Sequence, residues 1–164
     1  MTSLIERYTV ACPYVRARDF LSQIIGPIAA EGRVEPLTLS AALAFLPRDL
    51  HKRVLVRYAA GADPMHFDEP WRVSWQPEGG GPFPAFEGEL TVRADEGYDS
   101  AVLELKGEYT PPLGAAGRAF DAAIGGHIAA STAQMLLAQI ASGMRDRHAA
   151  EEAAKRGATE RRDD

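Results

Sequence analysis

The chain switches repeatedly between two hydrophobic periods, and the switches mark its elements. Ile5 to Cys12 alternates apolar and polar residues and contains Val, Thr and Tyr, which predicts a strand ended by Pro13. From Tyr14 the period changes. Ala17, Phe20, Leu21, Ile24 and Ile28 recur at three and four, as on an amphipathic helix. Its regular part should stop before Pro27, because the residue preceding a proline avoids helical geometry, leaving "AAEGRVEP" as a loop or one short further turn.

Five strand-like runs follow: Leu37 to Leu46, Leu50 to Ala59, Trp71 to Gln76, Ala85 to Ala94 and Ser100 to Tyr109. Their separators, "PRD", "AGADPMHFDEP", "PEGGGPFP" and "DEGYD", carry turn residues, and most are too short for the crossover helix that parallel strands need. An antiparallel meander is expected. After "TPP" a second helical period runs to Arg145. It is interrupted by Gly125 and Gly126, each about 1 kcal/mol poorer than alanine in a helix, a cost that a bend or a close approach would offset. The stretch "DRHAAEEAAKRGATERRDD" then has mixed charge. Glu151 with Lys155, and Glu152 with Arg156, fall four apart and extend the helix by a turn or two before the end frays. Residues 1–148 therefore read as one domain and 149–164 as a charged, frayed or disordered tail.

Alternation assigns each strand two faces. One is almost wholly apolar: Leu37, Leu39, Ala41, Leu43 and Phe45; Val54, Val56 and Tyr58; Trp71, Val73 and Trp75; Phe86, Gly88, Leu90 and Val92; Ala101, Leu103, Leu105, Gly107 and Tyr109. The other carries Glu87, Glu89, Thr91 and Arg93 on one strand and Glu104, Lys106 and Glu108 on the next. Titratable groups on the inward face are then the phenols of Tyr58 and Tyr109, with Arg7 as a further candidate on the first strand. On the final helix Phe120, Ile124, Ile128, Ser131 and Met135 form one stripe, with His127 and Gln134 at its edge. The stripe should face the sheet. Small residues (Gly88, Gly107, Ala41, Ala101, Ala123) among bulky ones fit either an interlocked core or a cavity, and a curved sheet around one helix tends to enclose space.

Composition narrows the partners. A chain of 164 residues, 46% hydrophobic, is one domain with a real core. A formal net charge of -5 speaks against nucleic acid, which calls for a basic stripe. The single cysteine, Cys12, makes no internal disulfide, and "MTSLIERY" does not read as a signal peptide, so a reducing, cytoplasmic location is expected. No window approaches the roughly 18 continuous apolar residues of a membrane span, so membrane contact is expected to be transient at most.

The order of strand, helix, five hairpin-linked strands and a long last helix entered through "YTPPLGAAGRAFD" resembles the helix-grip superfamily. That group (SRPBCC) takes in START-related domains, Bet v 1-like proteins and bacterial polyketide cyclase/dehydratase-like proteins. The resemblance covers roughly residues 4–145 and is densest in "FEGELTVRADEGYDSAVLELKGEYTPPLGAAGR". It implies an α+β fold in which a curved antiparallel sheet of six or seven strands wraps a long C-terminal helix, with a short helical segment after the first strand. It also implies an apolar-ligand pocket between sheet and helix, without implying the cyclase reaction.

The candidate lining of that pocket is Tyr58, Trp71, Val73, Trp75, Phe86, Leu90, Leu103, Leu105, Tyr109, Phe120, Ile124, His127, Ile128 and Ser131. Phe83, between Pro82 and Pro84 in a glycine-rich hairpin, and Met65 and Phe67 of the preceding long loop are candidate lid residues. His127 is the one candidate acid–base group. The run His66 to Glu69 lacks a second ligand cluster at metal-site spacing, and "PEGGGP" lacks the Lys-Ser/Thr of a phosphate loop, so neither a metal nor a cofactor is expected. Cys12 has no basic neighbour to activate it and reads as a core or edge residue. Three functions fit: a carrier or sensor of a lipid, isoprenoid or polyketide-like molecule; a metal-free cyclase, dehydratase or aromatase using His127; and a protein-interaction module acting through the Phe83 hairpin or the tail. Either a monomer or a dimer formed through an exposed strand edge fits the sequence.

Overall fold

A computed structural model describes residues 1–41, 50–61, 70–81, 83–110 and 124–160. The chain begins with β1, Thr2–Val10, which starts before Ile5 and stops before Cys12. Its limits follow its partner, since it pairs antiparallel with the last strand from Thr2↔Tyr109 to Val10↔Ala101. The Cys12 amide donates to the Val10 carbonyl at 2.8 Å and turns the chain into α1, Tyr14–Ala30.

Helix α1 does not stop before Pro27; the proline lies inside it. The expectation fails because Pro27 enters only in the final turn, where one lost backbone bond is tolerated and a strong terminator lies just beyond. Gly32 adopts φ +62°, its amide donates to Ala29 O at 3.1 Å, and the Arg33 amide donates to Ile28 O at 3.0 Å, which together form a Schellman cap.

The strands that follow are β2 (Val34–Ala41), β3 (Leu50–Ala59), β4 (Trp71–Pro77), β5 (Ala85–Ala94) and β6 (Ala101–Thr110). They form one antiparallel sheet of six strands, ordered β1-β6-β5-β4-β3-β2. Strand β2 begins at Val34 rather than Leu37. Pro36 is accommodated opposite Leu55 because β2 is an edge strand among the described residues, with one side free of ladder bonds. The remainder of the expected Leu37 to Leu46 run lies outside the described residues. Helix α2, Gly126–Glu160, is entered through a widened, π-type turn at residues 124 and 125. The architecture is thus an α+β fold in which a curved sheet wraps a long C-terminal helix, with a short helix after the first strand.

The core lies between the sheet and both helices. Val54, Val56, Val73, Trp75, Phe86, Leu90, Leu103 and Leu105 are buried against Phe20, Leu21 and Ile25 of α1 and against α2. The strand faces are those that alternation assigned. The helix stripe matches only in part: Ile128 is buried as expected, but α2 also buries Ala129, Thr132, Ala133, Leu136, Leu137, Ile140, Ala141 and Met144, while Ser131 and Met135 sit half-buried at its margin. Small side chains let the helix approach the sheet closely, so its alanines take the centre that bulky residues were expected to fill.

The charged stretch after residue 148 is helical as far as Glu160. Glu151 does not pair with Lys155. It receives two hydrogen bonds from the Arg16 guanidinium of α1, with Nε at 2.9 Å from Oε2 and a terminal nitrogen on Oε1, while Lys155 pairs with Glu152 at 2.7 Å. This bidentate tie to α1 anchors a segment that would otherwise fray.

Candidate functional site

Cross-strand register sets the inward side chains in rows. Val56, Trp75, Phe86 and Tyr109 are successive partners across β3, β4, β5 and β6. The next row is Tyr58, Val73, Gly88 and Gly107. Within the first row the Trp75 and Phe86 rings stack, centroids 4.1 Å apart and 14° from parallel. The Phe86 ring also leans over the glycine pair of the second row. A Cβ placed on Gly88 would stand 2.5 Å from Phe86 Cζ, and one on Gly107 would stand 2.7 Å from it. Both glycines are therefore required by close approach rather than by unusual torsion angles.

The Tyr109 hydroxyl reaches α2 at Gly126, where an added Cβ would lie 3.2 Å from it. One of the two helix glycines is thereby explained: the phenol packs against the first turn of the helix. Trp75 is only 1% exposed, and among the described residues its indole Nε1 has no hydrogen-bond partner. A buried donor without an acceptor is uncommon, because desolvating it costs free energy that no contact returns. The Tyr58 phenol is buried as well; burial pushes its pKa up and the nearby Glu35 carboxylate pushes it further.

Phe83 folds inward. Gly79, Gly80 and Gly81 all take positive φ, at 70°, 71° and 109°, and the Phe83 amide donates to Gly81 O at 2.8 Å. That turn delivers the ring onto α2, where Phe83 and Ile128 form a small buried cluster with Ile124 and Met135, and Met135 also packs against the main core. The other sequence candidates fall in different places. Trp71 is half-buried, with Gly26 of α1 beside its ring. Leu90, Leu103 and Leu105 are wholly buried in the core. His127 projects to solvent. Met65, Phe67, the His66 to Glu69 run and Phe120 lie outside the described residues. Among the described residues no group of three His, Cys, Asp or Glu side chains could hold a metal ion. No helix among them is long and apolar enough to cross a membrane.

Arg7 does not face the core. It lies on the outer face, where its Nε is 2.6 Å from Glu104 Oε2, and Arg93 meets Glu104 Oε1 at 2.9 Å. The inward-facing polar residue of β1 is Glu6, whose carboxylate accepts a hydrogen bond from the Gln134 amide of α2. The signal for this was present, since Glu6 shares the parity of buried Leu4 and Val10. Cys12 is buried, and burial raises its thiol pKa despite nearby Arg16, which suits an inert core residue.

Two cavities lined by described residues open on the outer side of the sheet. The larger, about 620 Å³, includes Arg57, Arg72, Ser74, Glu87 and Glu89 in its wall. The smaller, about 150 Å³, lies beside Ser74, Gln76, Glu87 and Glu108.

No protein-family model matches the chain, and no curated protein matches it. Among solved structures, the Zhui aromatase/cyclase from Streptomyces sp. R1128 matches over 88% of this chain and 94% of its own, at 15% identity and a TM-score of 0.51. A protein from Thermus thermophilus matches over 85% of this chain and 97% of its own, at 13% identity and a TM-score of 0.46. At such identity the likeness to the aromatase/cyclase is one of fold alone.

Proposed function

We propose that the protein binds a small hydrophobic molecule, of lipid, isoprenoid or polyketide-like character, between the inner face of the sheet and the N-terminal end of α2, as a carrier or sensor. The observation that carries this reading is the apolar inner face with two polar atoms in one row, the unpartnered Trp75 Nε1 and the Tyr109 hydroxyl that meets the start of the helix at Gly126. Burial supplies the affinity, at about 0.8 kcal/mol for each ligand methylene removed from water. The indole donor and the phenol orient a ligand oxygen. The deeper part of the inner face, at Leu90, Leu103 and Leu105, is filled by the two helices, so the ligand belongs at the Phe83 end, where a second small cluster joins the core through Met135.

Phe83, with Met65 and Phe67 as sequence neighbours of the lid, closes that end in this reading. Three glycines in succession give the hairpin the freedom to lift the ring from Ile128. Replacing Phe83 by Ala should speed release of a bound fluorescent fatty acid and, because the ring is buried against Ile128, lower thermal stability as well; an unaltered release rate removes the lid from the account.

Fold shared with an aromatase/cyclase does not carry its reaction over, because chemistry resides in the site rather than the fold. The acid–base residue of the enzymatic reading, His127, is exposed on α2. Binding is therefore the preferred role. Protein purified from its native host and examined by native mass spectrometry should carry a hydrophobic molecule at near one-to-one ratio. An empty protein that also fails to take up fluorescent fatty acids or isoprenoids refutes the proposal.

A further inference from the structure

Several arginines along the sheet and its borders are held in closed ion pairs. Arg7 and Arg93 share Glu104, Arg53 meets Glu78 at 3.2 Å, and Arg33, which borders the 620 Å³ cavity at its rim, lies 3.3 Å from Glu31 and 3.4 Å from Glu35. Arg57, Arg72, Glu87 and Glu89 instead form no ion pair with any described residue, and all four border the 620 Å³ cavity. Register makes this informative. Arg7 and Glu104 are direct cross-strand partners and are joined at 2.6 Å; Arg72 and Glu89 are direct partners too, yet they stay apart. The same backbone relation gives a closed pair in one place and an open cleft in the other.

We propose that this cleft is a second, polar binding site for a small zwitterion bearing one carboxylate and one ammonium group. Arg57 on β3 and Arg72 on β4 supply the cationic wall, and Glu87 and Glu89 on β5 the anionic one. Ser74 lies between them, the direct partner of Arg57 on one side and of Glu87 on the other. Strands β3 and β5 are two inter-strand spacings apart, about 10 Å, which suits a molecule whose two charges are separated by a few bonds. A simple anion would meet the guanidinium wall but face two carboxylates; a simple cation meets the reverse. Only a ligand carrying both charges satisfies both walls, and the cavity falls within the usual size range of small-molecule sites, about 300–1,000 Å³. Since the groups are open to water, the affinity is modest and falls with salt. The site lies on the opposite side of the sheet from the apolar binding site proposed above and does not rest on it.

The test is an amide chemical-shift titration of the whole protein with glycine, β-alanine, γ-aminobutyrate and 6-aminohexanoate, with butyrate and butylammonium as single-charge controls. Saturable shifts confined to β3, β4 and β5 are expected for at least one of the four amino acids. Binding of either control should be roughly two- to fivefold weaker, the worth of one water-exposed charge pair. Arg72→Gln and Glu89→Gln should each abolish the selectivity. Ser74→Leu, which fills the cleft while keeping all four charges, should abolish binding, and the unperturbed remainder of each spectrum verifies the fold. The proposal is overturned if no amino acid gives saturable shifts, if butyrate binds as well as γ-aminobutyrate, or if Ser74→Leu binds unchanged.

Discussion

Adding a single methyl group at Gly88 should be among the most damaging small substitutions in this protein. In Gly88→Ala the new carbon would stand 2.5 Å from Phe86 Cζ and 2.8 Å from the Gly107 Cα. The Lys106 carbonyl oxygen stands closer still, and since carbon atoms in proteins approach to about 3.5–4.0 Å, β5 and β6 must separate and the Phe86 ring must also leave its place by roughly 1 Å. Overpacking of this kind costs about 1–3 kcal/mol. Moving Phe86 also breaks its stack on Trp75, worth about 0.5–1.5 kcal/mol. The total is about 2–4 kcal/mol, which for a chain of this size lowers Tm by about 4–16 °C. Thermal and urea denaturation would read it, and Gly157→Ala is the control, because nothing lies within 4 Å of the Cβ there and its helical position favours alanine. Adding Phe86→Leu to Gly88→Ala should recover only part of the loss, since the Gly107 backbone stays where it is. A loss below about 0.5 kcal/mol for Gly88→Ala, the range of an ordinary surface change, would refute the reasoning.

Two further outcomes follow from the same rows of side chains. At Gly126 an alanine gains up to about 1 kcal/mol of helix propensity but crowds the Tyr109 hydroxyl at 3.2 Å, so Gly126→Ala should be near neutral alone and stabilising when combined with Tyr109→Phe; simple additivity in the double-mutant cycle contradicts the contact. The Tyr58 phenol, whose pKa burial and Glu35 raise above the ordinary 10, contributes stability that is full below that value and declines as pH rises toward the folded-state pKa. The slope is at most about 1.4 kcal/mol per pH unit, and urea titrations above pH 10 should show a weaker alkaline decline in Tyr58→Phe; identical pH profiles would remove Tyr58 as the cause.

Much of the fold is legible in the chain because strands obey a period of two. Leu50 to Ala59 and Ala85 to Ala94 are strands with those limits, and the apolar parity of each faces the helices. Helix phase is less legible. Alanine carries too little hydrophobic signal to mark a stripe, so Ala129, Ala133 and Ala141 escape a reading that favours bulky residues such as Ile124 and Met135, although close packing selects the small ones. Prolines mislead where tertiary context excuses them, Pro27 in a last turn and Pro36 on a sheet edge. The outer cleft could not be read at all. Arg57, Ser74 and Glu87 are far apart in the chain and become neighbours only through strand register.

Pro36 has a consequence for how this molecule behaves in a crowd of its own kind. Among the described residues β1 and β2 are the two edges of the sheet, and a sheet edge can serve as a template on which a second chain lays a strand and begins an aggregate. On β2 the proline withholds an amide hydrogen from the middle of that template, so an incoming strand finds an interrupted ladder. On β1 the Gln134 amide reaches across from α2 to the Arg7 carbonyl at 3.3 Å and occupies an acceptor in the same way. Pro36 and Gln134 thus interrupt the two edges at points outside the core, and a β2 redesigned without its proline would present a more continuous ladder to a second chain.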